Sequence, residues 1–244
     1  MKKFKISLLL LLAMTSWAQA EGQISLGAAA YKGASEYKGS DGKIYPIPFI
    51  AYETEDYAIN TVRAEYHLPM SNTVWLDGLA SLRLQGFDES LSDYTQGLKQ
   101  RESSLDAGIA LNYYAAEIGF IALSFVHDIS DVHQGHELSV SYSYPLQWGV
   151  VGLTPSIFVS RQSEDLVDYY YGVRAAEATT WRAAYKGQAA VNTGGGLEIN
   201  YEFAKSWLLY SELHLSRFGD TIISSPLVDT KISWSSGLGV IYSF

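Results

Sequence analysis

Six ionisable residues crowd into eleven consecutive positions of this chain: His127, Asp128, Asp131, His133, His136 and Glu137. Imidazole and carboxylate together can hold a divalent metal or relay a proton between an acid and a base. The spacing fits no compact metal motif such as H-E-x-x-H, so the expectation is a solvated polar loop. A hydrolase would need a serine beside a histidine, with an acid to orient it. Glu212 and His214 offer the acid and the histidine, yet serine is abundant on every small polar face here, and the pairing has little specificity. Paired acids could come from Asp77, Asp106, Glu198 and Glu212, but buried charges need partners, and Arg63, Arg83 and Lys231 are there to supply them. Gly194-Gly195-Gly196 lacks the Lys-Ser/Thr of a phosphate loop and reads as a bend or a close approach within a strand. No catalytic, cofactor or metal residue is expected, and the protein is not expected to be an enzyme.

The elements carrying these residues are strands. In the last fourteen residues, Lys231 to Phe244 (KISWSSGLGVIYSF), one parity reads Ile232, Trp234, Leu238, Val240, Tyr242 and Phe244, broken only by Ser236. The other parity is Ser233, Ser235, Gly237, Gly239 and Ser243, with Ile241 the one intruder. Successive side chains of a strand point to opposite faces, so this ribbon is apolar on one side and small or polar on the other. A membrane-spanning strand needs about 9–11 residues, lipid on one face and a polar lumen on the other. Strands of a soluble β-sandwich or lipocalin-like barrel average about 5–6 residues. The pattern therefore predicts an outer-membrane barrel.

Residues 1–20 read as a secretory signal: a basic start at Lys2, Lys3 and Lys5, an apolar run Ile6 to Ala13, and an Ala18-Gln19-Ala20 cleavage site. Residues 21–244 would then form the barrel domain. Removing the signal leaves 14 basic against 26 acidic residues, a net charge of −12, which argues against nucleic acid as a partner. There is no cysteine, so disulfides do not hold the fold, whereas a closed hydrogen-bonded wall can. The 18 Tyr and 6 Trp suit aromatic girdles at the two membrane interfaces.

Alternation recurs over residues 74–85, 105–113, 138–144, 151–160, 191–201 and 207–215, and more weakly over 23–31, 44–53, 56–66 and 116–127. With the terminal strand that makes eleven, but termini that both lie in the periplasm require an even number. Orientation traced back from Phe244 stays consistent to about residue 73, which places the uncounted strand before it; Leu166 to Val173 is a second place where one could lie. The expected fold is all-β, an antiparallel transmembrane β-barrel of twelve strands, with ten as the alternative. Turns at 147–149 and 202–206 are short and flanked by aromatics, as periplasmic turns are; 87–101, 128–136, 162–187 and 218–230 are long and would be extracellular. Within the largest of these, Tyr169-Tyr170-Tyr171 reads as a loop anchor at the bilayer rim, or as a lumen plug or ligand-contact surface.

Several short motifs, in order, resemble those of the MipA/OmpV family. These are Tyr37-Lys38-Gly39-Ser40 followed by Pro46 and Pro48; Tyr171-Gly172-Val173, Glu177-Ala178 and Tyr185; Ser224-Ser225-Pro226-Leu227-Val228; and Leu238-Gly239 with Tyr242-Ser243-Phe244. The resemblance covers the mature chain. It implies a non-enzymatic barrel in the Gram-negative outer membrane. In the family's namesake the implied role is a scaffold linking a lytic transglycosylase to a peptidoglycan synthase; other members are associated with adhesion, immune recognition and small-solute passage. No partner-binding residue carries over. Tyr242 and Phe244 resemble the C-terminal signal read by the barrel-assembly machinery, and outer-membrane lipid is the expected surrounding of the apolar face.

Overall fold

The computed structural model describes residues 22–40, 42 and 44–244. The expected signal segment, residues 1–20, lies outside them. The wall is a single antiparallel sheet built from β1 (Gln23–Gly33), β2 (Ile44–Glu53), β3 (Tyr57–Asn60), β4 (Arg63–Pro69), β5 (Val74–Arg83), β6 (Ser104–Ala115) and β7 (Gly119–Asp128). It continues through β8 (His136–Ser143), β9 (Leu146–Trp148), β10 (Val151–Gln162), β11 (Ala190–Ala204), β12 (Trp207–Arg217) and β13 (Ile232–Ser243). β13 returns to β1, from Ser25 opposite Ser243 to Gly33 opposite Ser235, and the sheet closes on itself. β8 and β9 both pair with β10 and form one stave, interrupted around Pro145, which has no N–H to offer a ladder. The barrel therefore has twelve staves. Among the described residues no helix is long and apolar enough to cross a membrane.

The missing stave lies where the orientation argument placed it. The stretch 56–66 is not one strand but two, β3 and β4, folded back at Asn60. The Asn60 side-chain oxygen accepts from the N–H groups of Val62 (3.0 Å) and Arg63 (2.9 Å), a turn made by a side chain rather than by glycine or proline. Leu166 to Val173, in contrast, holds no strand. Glu164–Tyr171 is a helix, α1, whose N-cap Ser163 accepts from Leu166 N–H. Leu166, Val167, Tyr170 and Tyr171 form one helical face, and that face is buried.

Parity holds around the whole wall. Ile109, Leu111, Leu123, Phe125, Leu138, Val140, Ile157, Val159, Leu213, Leu215, Leu238 and Val240 all stand exposed on the outer face of β6, β7, β8, β10, β12 and β13, as does Val191 on β11. A continuous apolar belt of this kind is a hydrocarbon contact, not a water contact. The inner face carries small and polar groups such as Ser124 and Ser139, whose hydroxyls meet at 2.7 Å. Ile241, the intruder on the small parity of β13, points inward opposite Leu208. Gly194 and Gly196 also face inward. A Cβ at Gly194 would lie 2.5 Å from the Phe158 ring, and one at Gly196 would lie 2.7 Å from His214 Nδ1, so these glycines admit two rings to the interior.

Candidate functional site

The short connections 54–56, 70–73, 116–118, 149–150 and 205–206 sit at the end where both described termini emerge, the two-residue turn after Asn60 lies partway up the wall, and the long segments gather at the other end. There the long segments build a second core. Tyr37 and Phe87 pack with ring centres 4.4 Å apart, and Leu98, Val173, Ile222, Leu227 and Val228 join them around the buried face of α1. The tyrosine run belongs to this cap: Tyr170 and Tyr171 are 0% and 1% exposed. Burial pushes the Tyr170 hydroxyl up to about 12.

One arginine ties the cap together. Arg101 is 1% exposed and donates to the carbonyls of Tyr169 (2.6 Å), Lys99 (2.5 Å) and Gly172 (3.2 Å), while its Nη2 pairs with Glu177 at 3.1 Å. Burial alone would raise the Glu177 carboxyl, but hydrogen bonds from Arg101 and from the N–H groups of Arg174 and Lys99 outweigh it and hold it down to about 2. An ordinary Glu titrates near ~4.3, so the folded value lies below the unfolded one. The stabilisation is thus whole above ~4.3 and is lost as pH falls through about 2. Pepsin cleavage within 163–189 should accordingly accelerate between pH 4 and 2, and Glu177→Gln should flatten that dependence. Glu36 behaves in the opposite sense: burial beneath the cap raises its carboxyl despite hydrogen bonds from Gln85 and Tyr171.

The histidine-rich stretch is divided by the wall. His127 and His136 face each other on the outer face, and Asp131 stays exposed in the turn. Asp128 and Glu137 point inward, and His133 folds in to meet Asp106, a residue of another stave that sequence spacing could not connect to it. Ligand atoms of Asp106, Asp128 and His133 all lie within 4.8 Å of one another. Their lone pairs are nevertheless committed. Asp128 accepts N–H groups from Ser130, Val132, His133 and Gln134 and the Ser130 hydroxyl, so it organises its own loop. Asp106 accepts from Ser104 and from Arg83, and Arg83 also reaches Glu137 at 2.9 Å. His133 Nδ1 accepts from Gly135 N–H (3.0 Å), which leaves the proton on Nε2, donated to Asp106. Neither ring nitrogen is free to bind a metal or to activate a serine. The stretch is not a solvated loop throughout, as the spacing suggested, but half of a packed polar interior.

The other acids find partners unlike those expected. Arg83 does neutralise Asp106, but Asp77 pairs with His67 at 2.7 Å and Arg63 with Glu65 at 2.7 Å. Glu198 accepts from Asn200 at 2.7 Å and faces Glu212 across the β11–β12 ladder. Glu212 is hydrogen-bonded by Tyr210 and lies 3.5 Å from His214. Glu198, Asn200, Tyr210 and Glu212 border a cavity of about 1280 Å³, walled by β1, β2, β11, β12 and β13 and the turn at 60–62, with 84–88 above. The half of the interior bounded by β6 to β10 contributes nothing to the lining. At the short-turn end, on the outer face, Tyr201, Phe203, Trp207, Tyr242 and Phe244 form a chain of ring contacts between 4.8 and 6.4 Å.

A closed antiparallel wall, an apolar outer belt and an aromatic rim at one end define an outer-membrane β-barrel protein. The chain belongs to the MltA-interacting protein MipA family, whose model matches residues 26–244. The MltA-interacting protein of Escherichia coli (strain K12) is 27% identical over 255 residues, spanning 100% of both chains. Outer membrane protein OmpV of Vibrio cholerae is 27% identical over 228 residues, 92% of this chain and 88% of that one. Among solved structures, a NanC porin covers 89% of this chain and 98% of its own with a TM-score of 0.46 at 10% identity, a likeness too distant to assign a solute.

Proposed function

We propose that this protein is a non-enzymatic scaffold of the outer membrane. Both termini and the short turns face the periplasm, where the turns engage a lytic transglycosylase and a peptidoglycan synthase. The observation that carries this reading is end-to-end similarity to a relative named for binding MltA. The commitment of His133 and Asp106 to each other and to Arg83 supports the absence of catalysis. The detergent-solubilised barrel, immobilised, should retain a purified lytic transglycosylase; an empty eluate would sink the scaffold. The large cavity favours small-solute passage as the second reading, and silence in planar bilayers would remove it.

Tyr242 and Phe244 act in biogenesis as the signal for the barrel-assembly machinery, while their rings also close the aromatic rim. Deleting Phe244 should lower the heat-modifiable, folded form in cells by about tenfold. Refolding of the same variant from urea into detergent should be unchanged, because no assembly machinery takes part there.

A further inference from the structure

The wall has a gap, and the sequence is fitted to it. β2 pairs with β1 along its length, from Ile44 to Glu53, but with β3 only at Ala51, Tyr52 and Glu53. Thr61 finishes that ladder with a side chain: its hydroxyl accepts from Ile50 N–H (3.1 Å) and donates to the Pro48 carbonyl (2.7 Å). Those two bonds show that the even-numbered residues of β2 turn their peptide groups toward the gap, which puts Pro46 on the same edge. Pro46 and Pro48 have no N–H. A bare donor in hydrocarbon costs several kcal/mol, by roughly the measure that forbids open sheet edges in membranes. At 46 and 48 the donor is absent by composition and at Ile50 Thr61 covers it, which leaves Ile44, at the end of the strand, as the even-numbered residue with an N–H toward the gap. An edge with two prolines in succession on its open side is a poor template for a strand from a second chain, as suits the border of an opening.

Behind the opening lies the cavity, and its lining changes character. Where most staves present serine, glycine or asparagine to the interior, β2 presents Tyr45, Ile47 and Phe49, with Val62 and Leu84 at the rim and Leu208 and Ile241 deeper in. Tyr45 is on the inner parity yet 55% exposed, as befits a side chain beside a window. Among the described lining residues the carboxylates are Glu36, Asp88, Glu198 and Glu212 and the one cation is Lys32, so an anionic guest meets repulsion. At about 1280 Å³ the space exceeds the ~300–1,000 Å³ usual for a small-molecule site.

We infer that the gap between β2 and the β4–β5 hairpin is a lateral portal through which an amphiphile with an apolar tail and a cationic head passes between the bilayer and the lumen. The portal is independent of the scaffold reading, because it rests on the wall and not on the turns.

The test uses the mature chain refolded into liposomes, with diazirine-tailed dodecylamine and a dodecyl sulfate analogue carrying the same tail. Peptide mass spectrometry should place saturable alkylamine labelling on the inward residues Ile47, Phe49 and Leu208. The paired substitution Glu198→Gln and Glu212→Gln should lower that labelling at least tenfold. The chain has no native cysteine, so Val62→Cys can be folded first and then blocked with a bulky maleimide; blocking should again lower inner labelling at least tenfold. The sulfate probe should mark the outer belt alone. Labelling confined to the outer belt with both probes, or inner labelling indifferent to the blocked cysteine, would overturn the portal. Equal inner labelling by the two probes would overturn the charge selectivity.

Discussion

Replacing Arg101 with alanine should unfold the cap and leave the staves standing. The guanidinium is almost wholly buried and satisfies the carbonyls of Tyr169, Lys99 and Gly172 as well as Glu177. Without it, Glu177 keeps only the half-exposed Arg174 guanidinium as a cation, 3.5 Å from Oε1, and three carbonyls lose a donor. Removing one partner of a buried pair costs about 3–5 kcal/mol, far more than making the pair contributes. That cost falls on the cap as a unit, because its core is built from loops and its opening need not break a ladder bond of the wall. Trypsin cleavage within 163–189 should rise by two orders of magnitude or more, while the sheet signal in far-ultraviolet circular dichroism and the heat-dependent gel shift persist. Arg101→Ala with Glu177→Gln should recover part of the protection, since the stranded charge is gone. A loop as resistant as wild type would show that the arginine is not what holds it.

The second large effect separates the two faces of one strand. Leu238 stands 57% exposed near the middle of β13, between Ala30 on β1 and Ser211 on β12. Leu238→Arg places a guanidinium in hydrocarbon and should cost about 2–4 kcal/mol. Ser235→Arg, three residues away but on the opposite parity, points into the cavity, where water and carboxylates receive it, and should cost under about 1 kcal/mol. Urea titration of the two variants in lipid vesicles, followed by tryptophan fluorescence, measures the difference. Equal costs would mean that the faces are misassigned.

Period-two alternation was enough to read most of the wall, because a barrel imposes the same inside-outside rule on every stave. It failed where local chemistry overrides the rule. Asn60 makes its turn with a side-chain oxygen, and the apolar residues Tyr57, Ile59, Val62 and Tyr66 on either side keep the stretch looking like a single strand. The helix α1 is only eight residues long, and the run of three tyrosines within it reads equally well as a strand. Its signals were present: Ser163 at the cap, Glu164 and Asp165 in the first turn, and apolar positions 166, 167, 170 and 171 on one face. The pairing of His133 with Asp106 was out of reach, because it depends on ladder register and on a loop folding inward. For the same reason Asp77 meets His67 and not an arginine: the partners of interior charges are set by which residues the register brings opposite each other.

The four residues of β3 give that stave a span of about 13 Å at ~3.3 Å per residue, roughly half the ~25 Å apolar band of an outer-membrane barrel. Acyl chains beside it therefore meet a low sill between the ten-residue staves β2 and β5, while those beside the twelve-residue β10 meet wall throughout. Thinning the bilayer toward that sill should take the opening out of the hydrocarbon, so vesicles of shorter-chain lipid should weaken the labelling of the inward residues.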